Sequence, residues 1–306
     1  MTQMSYRTIN INFDSIGSAL PHIPRNFRDP AYTLAGRFTA YAERYRFRYT
    51  IFVNGVDLEN PAAAEAVREL AGQGHEIANH SHNHKLNLGC LSRKEMESEV
   101  LRSHEIITRV CGREPRGFVA PGWSTSATLL AILRENGYLY DTSVFPSYFM
   151  WAASIKLWWM FRNDPRRDSI LQRSDRLMNV FSKRTPHLVD DLLVLPLPVT
   201  PVLRIPCWHT MAFLLPWALH RSVLTKCLAM KYFYYLLHPV DLLDRRDLDA
   251  SNRAIENIER LDVPLDTKQR LLADCLDIIC QDSGKLVTLE KMAEEFINEH
   301  RNLHKP

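Results

Sequence analysis

The sequence predicts an α/β protein: a largely parallel sheet wrapped by helices, in one domain that carries a large insertion. Three observations predict it. Short β-type runs alternate with helical stretches over the first 145 residues, a pattern of crossover units between parallel strands. The alternation breaks at about residue 146 and resumes near 234. Hydrophobic residues make up 46% of the 306 and charged residues 24%. That balance supports a substantial core and excludes a disordered tail protein, a collagen-like repeat or a disulfide-stapled miniprotein.

In chain order, Arg7–Phe13 is rich in β-branched residues and predicts a strand entering a loop. Helical spacing over residues 31–46 and 60–73 brackets a strand at Thr50–Val53. Gly72 and Gly74 punctuate the chain before a short strand, Glu76–Ala78. A helix begins at Ser92, whose hydroxyl caps it while Glu95 reaches back, and it ends near Gly112, which supplies a left-handed cap. A helix over 126–136 and a strand at Gly137–Tyr140 follow. After the interruption come a strand at Tyr234–Leu237, helices near 249–261 and 265–281, a strand at Lys285–Val287 and a last helix from Leu289.

The interruption, about 146–190, opens with Trp151, Trp158, Trp159 and Phe161 and continues with Arg162, Arg166, Arg167, Arg173, Arg176, Lys183 and Arg184. A second apolar segment, 207–237, holds Trp208, Phe213, Trp217 and the run Tyr232–Tyr235. Both are expected to form a lid or a membrane-contacting element on one domain spanning 1–306.

The net charge of +3 is too small an excess to point to nucleic acid. The six cysteines show no C-x-x-C pair and no clustering, which predicts unpaired thiols. The first twenty residues lack a continuous apolar stretch, and no run reaches the ~18 apolar residues that span a bilayer. A cytoplasmic location is the expectation.

Twelve histidines are the oddity of the composition, and three of them alternate in His80-Ser81-His82-Asn83-His84. Chance would put such a run in roughly one chain of fifty at this histidine content. Imidazoles four residues apart can place two nitrogens on one side of a turn, and such nitrogens suit zinc and similar divalent ions. Three polar histidines on a surface loop would fit the same spacing.

Other segments narrow this choice. The run from Gly74 to His84, GHEIANHSHNH, resembles the metal-binding motif of the polysaccharide deacetylase (NodB-homology) family, H-[ST]-x-x-H. Ile11–Ser15 stands where that family has T-F-D-D-G, Gly117–Gly122 is similar to its G-F-R-x-P-G, and Gly137–Ser143 to its G-Y-x-Y-D-S-S. Leu236-Leu237-His238-Pro239 is similar to its late L-x-H-P. The likeness covers 7–146 and 192–300 and leaves the insertion unmatched.

The resemblance implies a distorted (β/α) barrel with fewer than eight strands, its motif loops gathered at the strand C-terminal ends. It implies amide hydrolysis: removal of an acetyl or formyl group from an amino sugar. His80 and His84 would hold a divalent metal, zinc or else cobalt, manganese or nickel, that lowers the pKa of bound water. Asp14 would be the general base and His238 the general acid. Pro121, Gly122, Trp123 and Asp141 would line the substrate site, although Asp141 is equally suited to capping the next loop. His75 is expected to pack, and His82 to be a spare ligand or exposed.

Two departures mark this chain. Ser15 stands where the family has a metal-binding aspartate, so either Asp14 ligates the metal or water or another side chain completes the shell. Val119 stands where the family has the arginine that orients the base. The insertion, thirteen residues with one charge over Phe149–Phe161 and then arginines, suits either a packed lid or a membrane interface. In the second case the substrate would be a polyprenyl-phosphate-linked amino sugar on the inner leaflet, its phosphate met by the arginines. A hydrolase of a small soluble amide and a catalytically silent carbohydrate- or membrane-binding protein are the rival readings.

Overall fold

The computed structural model describes residues 4–19, 29–151, 155, 159, 173, 179–248 and 258–303. Its frame is one nine-stranded sheet: β1 (Tyr6–Asn12), β2 (Thr50–Val53), β3 (Glu76–Asn79), β4 (Gly117–Phe118), β5 (Tyr140–Asp141), β6 (His187–Val189), β7 (Leu192–Val194), β8 (Tyr232–Leu237) and β9 (Lys285–Leu286). The order is β6-β7-β5-β4-β3-β2-β1-β8, with β9 beside the start of β1. Every pairing is parallel except the β6–β7 hairpin.

Helices cover the outside: α1 (Gly36–Tyr45), α2 (Pro61–Gly72), α3 (Arg93–Cys111), α4 (Ala127–Glu135), α5 (His209–Leu214), α6 (Trp217–Leu228), α7 (Leu265–Gln281) and α8 (Leu289–Leu303). β1 is buried along its whole length, as a parallel strand covered on both faces must be. Alternate residues of the strands divide between two cores. Ile51, Val53, Phe233, Tyr235 and Leu237 face the outer helices. Tyr6, Phe52, Ala78, Val119, Tyr140, Leu193, Tyr234 and Leu236 share the inner core with Met292 and Phe296 of α8. Side chains contributed from β1 round to β7 meet in one cluster only because the sheet curls, so the fold is the distorted (β/α) barrel expected. A polar bracket ties α8 to the barrel interior. Glu76 accepts from Thr50 Oγ1 and Tyr140 Oη at 2.6 Å and from the Glu290 N–H at 3.0 Å, while Thr50 Oγ1 accepts from the Leu289 N–H.

The sequence-based boundaries need some corrections. The helix expected at 31–46 splits: a 3-10 turn over Tyr32–Leu34 precedes α1. Gly137 lies in a left-handed turn, so the strand at this point starts only at Tyr140. β8 begins at Tyr232, and the β6–β7 hairpin was not foreseen. Of the helix expected at 249–261, residues 249–257 lie outside the described residues, and 258–263 form turns and bends. The segment 207–237 is no separate lid: Val223, Leu224 and Cys227 pack in the main core and β8 pairs with β1 along six residues. Most of the insertion, 152–178, lies outside the described residues apart from Ile155, Trp159 and Arg173. All six cysteines are unpaired. Among the described residues no helix is long and apolar enough to cross a membrane.

Candidate metal centre and active site

The parallel strands end on one rim, and the loops leaving β1, β3, β4 and β8 carry the chemistry. Asp14 sits two residues beyond β1, His80 directly after β3 and His238 directly after β8. The loop after β3 is pinned to its neighbours. The His80 N–H donates to the Val53 carbonyl at 2.9 Å, and the Gly55 and Val56 N–H groups donate to the carbonyls of Ser81 and His82 at 3.0 Å. Ser81 and His84 adopt left-handed backbone conformations, φ 66° and 53°, which turn the chain sharply within the motif. Such strain persists only where surrounding bonds fix it.

The turn brings His80 and His84 together with ring centroids 5.0 Å apart, and both face Asp14. Nε2 of His80 lies 4.0 Å from Asp14 Oδ1, and Nε2 of His84 lies 3.7 Å from Oδ2. These separations are too long for hydrogen bonds. The three groups nevertheless offer ligand atoms all within 4.8 Å of one another, the single such grouping among the described residues. His82 points away, its Nε2 3.5 Å from Glu59 Oε1.

Two details test whether a metal fits. His80 Nδ1 is 2.7 Å from the Val119 carbonyl, so Nδ1 carries the proton and Nε2 presents a lone pair toward Asp14. Asp14 Oδ1 is buried without a hydrogen-bond partner. Burial, with His84 adding, holds His80 well below the ordinary imidazole pKa. Burial, with His238 adding, takes His84 down to about 4. Both rings are therefore neutral donors at pH 7. Burial, with Asp57 adding, raises the Asp14 carboxyl well above the usual range, a cost that a nearby cation reverses. Two neutral imidazoles and a carboxylate suit zinc and its first-row neighbours.

Beside this cluster lies a cavity of about 210 Å³ bounded by Asp14, Trp208, Thr210, His238 and Arg260. His238 packs against Trp208 at 5.5 Å and is partly buried; desolvation takes its pKa down to about 4. Its backbone N–H donates to Asp241 Oδ2 at 2.8 Å, and Asp241 Oδ1 lies 3.2 Å from Arg260 Nη1.

The remaining residues singled out in the sequence are less central. Pro121–Trp123 form a tight turn, with Gly122 at φ 58° and Arg173 Nη1 donating to its carbonyl at 2.6 Å. Trp123 lies tilted against Phe145 at 4.8 Å and edge-on to Trp208 at 5.2 Å, extending an aromatic shelf from the cavity. Asp141 is fully buried, with both carboxylate oxygens taken by the Ser143 hydroxyl and N–H. This is the loop-capping geometry. Ser15 turns to Asp57, its hydroxyl at 2.7 Å and its N–H at 2.8 Å. His75 packs against Tyr49.

Asp57, Trp208, Asp241 and Arg260 escaped the sequence reading. Asp57 and Arg260 belong to no motif, and their places depend on contacts 42 and 19 residues away in sequence. Trp208 was visible only as one aromatic residue in an apolar run.

A curled, mostly parallel sheet with an Asp-His-His cluster on its C-terminal rim defines a protein of the (β/α)-barrel class. Residues 6–140, somewhat under half of the chain, match the model of the polysaccharide deacetylase family. It is 30% identical over 107 residues to a peptidoglycan deacetylase of Helicobacter pylori, a stretch covering 35% of this chain and 36% of that protein. The chain thus spans about a third of the length of that relative. Two solved structures share the fold across nearly the whole chain. One, from Mycobacterium smegmatis and described as a polysaccharide deacetylase, has a TM-score of 0.56 at 16% identity, covering 98% of this chain and 93% of that one. The other, a probable polysaccharide deacetylase of Pseudomonas aeruginosa PAO1, has a TM-score of 0.57 at 14% identity, covering 96% and 91%.

Proposed function

We propose that the protein is a metal-dependent hydrolase that removes an N-acetyl or N-formyl group from an amino sugar. The observation that carries this reading is the convergence of Asp14, His80 and His84 within 4.8 Å beside the cavity that His238 lines. A divalent ion, zinc first among the candidates, would be held by these three groups and would supply an acidified water and a polarised acyl oxygen.

The chain's own groups do the rest. Asp14 would help hold the ion and takes the proton of the attacking water. His238, neutral at rest and steadied by Trp208 and Asp241, relays to the departing amine the proton that Asp14 takes from the water. The Trp123–Trp208 shelf gives a sugar ring an apolar face to lie against. The reading extends to a lipid-phosphate-linked substrate on the cytoplasmic face of the membrane, supported by the aromatic and basic character of 146–190.

The test measures bound metal by atomic emission, and acetate or formate released from N-acylated amino sugars, in the full chain and in His80→Ala. Both are expected to fall together. Full activity in a metal-free His80→Ala preparation would remove the basis of the proposal.

A further inference from the structure

The loops that follow β5 and β7 leave the barrel on the catalytic rim, and they end in apolar side chains turned to solvent. Tyr148, Trp151, Ile155, Phe181, Val202 and Leu203 are between 39% and 83% exposed. They come from three stretches of chain that one residue ties together. Arg204 Nη1 donates to the carbonyls of Pro146 and Ser182 at 3.4 Å and to that of Val180. Ser147 Oγ donates in return to the Arg204 carbonyl at 2.5 Å. Val202 and Leu203 directly precede this tether, Phe181 lies between two of its acceptors, and Tyr148 follows Ser147, with its ring 6.4 Å from that of Trp151. Tyr148, Trp151, Phe181, Val202 and Leu203 therefore form a built platform around this tether, not isolated surface residues.

A basic fringe borders it. Lys183 is exposed and Arg184 partly so, two and three residues beyond Phe181.

We propose that this platform docks the protein on an anionic lipid bilayer and sets the cavity mouth against a lipid-borne substrate. Tryptophan and tyrosine rings favour the headgroup level, and lysine and arginine beside them are attracted to anionic headgroups. A second copy of the chain fits poorly, because a two-fold contact on this face would bring the two basic fringes together. The platform is also continuous with the site. Phe145, three residues before Tyr148, lies 4.8 Å from Trp123 and 6.2 Å from Trp208, and Trp208 bounds the cavity with Asp14 and His238. An apolar path thus runs from the platform to the cavity wall. The docking rests on the exposed side chains alone, whereas the substrate half rests on the deacylase reading above.

The test floats the full-length chain with vesicles of phosphatidylcholine, alone and mixed with phosphatidylglycerol, and compares it with the double variant Phe181→Asp, Leu203→Asp. Binding is expected only with the anionic vesicles, to weaken with salt, and to fall about tenfold in the double variant. Both substituted positions are exposed, and an unchanged thermal melt checks the fold. No wild-type binding, equal binding by the double variant, or a wild-type dimer that the variant dissolves without any vesicle binding would each overturn the proposal. Deacylation of a soluble N-acetylated amino sugar, measured on the same preparations, is expected to be the same in both proteins. Intact vesicle binding with no deacylation would sink the deacylase reading and its lipid-borne substrate while leaving the docking standing.

Discussion

The Nδ1–H of His80 is committed to the main-chain carbonyl of Val119, 2.7 Å away. The family's usual arginine is missing at this position, yet the backbone of the same residue fixes the tautomer of the histidine opposite. Nε2 is left as a lone pair facing Asp14. Removing this ring by His80→Ala should weaken zinc binding by roughly 100-fold or more, since even outer-shell losses reach such values. His82, which faces Glu59, should tolerate Ala with little change in zinc affinity. Competition titration against a chromogenic chelator reads both; equal losses in the two variants would contradict the division of the three histidines.

Ser15 occupies the place of a ligand without the geometry of one. Its hydroxyl donates to Asp57 Oδ1, which also accepts from Ser18 Oγ, while Tyr32 Oη lies 3.1 Å from Oδ2. Ser15→Ala should therefore leave metal stoichiometry unchanged and cost about 1 kcal/mol of stability, the worth of one hydrogen bond to a charged or polar partner. Urea denaturation with metal analysis on the same samples decides it, and loss of metal would show Ser15 to be a ligand after all.

Much of the frame was legible because periodicity alone encodes it. The strand at Thr50–Val53, the capping box of Ser92 and Glu95, and the cap at Gly112 stand where local rules put them. Strands of two residues, such as Gly117–Phe118, are too short to have a period. Gly117 is required by a contact distant in sequence, because a Cβ there would sit 2.0 Å from the Tyr140 ring. The site divides in the same way. His80, His84, Asp14 and His238 announce themselves through motifs, whereas Asp57 and Arg260 matter through tertiary contacts that no local pattern records. The bracketing of Asp141 by Ser143 is local, and the sequence left it as one of two roles.

His75 gives the acid side of the stability profile a defined contributor. Its Nδ1 accepts the Tyr49 N–H at 2.9 Å, so protonation there would break a buried backbone bond. Burial, with Arg48 adding, lowers its pKa to about 4 from an ordinary 6.5. The unfolded chain then binds the proton first, and stability falls as pH drops from about 6.5 toward 4. The expected loss between pH 7 and pH 5 is on the order of 1–2 kcal/mol. His75→Asn, which keeps an acceptor but cannot titrate, should flatten that part of the profile. Urea midpoints at pH 7 and pH 5 for both proteins measure it, and an unchanged slope would assign the acid lability elsewhere.

The ion pair behind His238 should show in both stability and rate. Burial pushes the Asp241 carboxyl up, but Arg260 beside it holds the pKa below the usual carboxylate range. Asp241 is fully buried, and its other oxygen fixes the backbone N–H of the proposed acid. Arg260→Gln would leave that charge without its nearest cation, a loss of roughly 3 kcal/mol. Lys268, whose ammonium is held by the Val240 and Leu243 carbonyls, remains to moderate it. The effect on activity follows from position. Arg260 also borders the cavity, where its guanidinium donates to Thr210 Oγ1 at 2.8 Å and lies over the Phe213 ring. If its main task is to keep Asp241, and through it His238, in place, kcat should fall roughly 10- to 100-fold while KM changes little. A rise in KM at unchanged kcat would instead make Arg260 a substrate-binding group, and steady-state kinetics on an N-acetylated amino sugar separates the two.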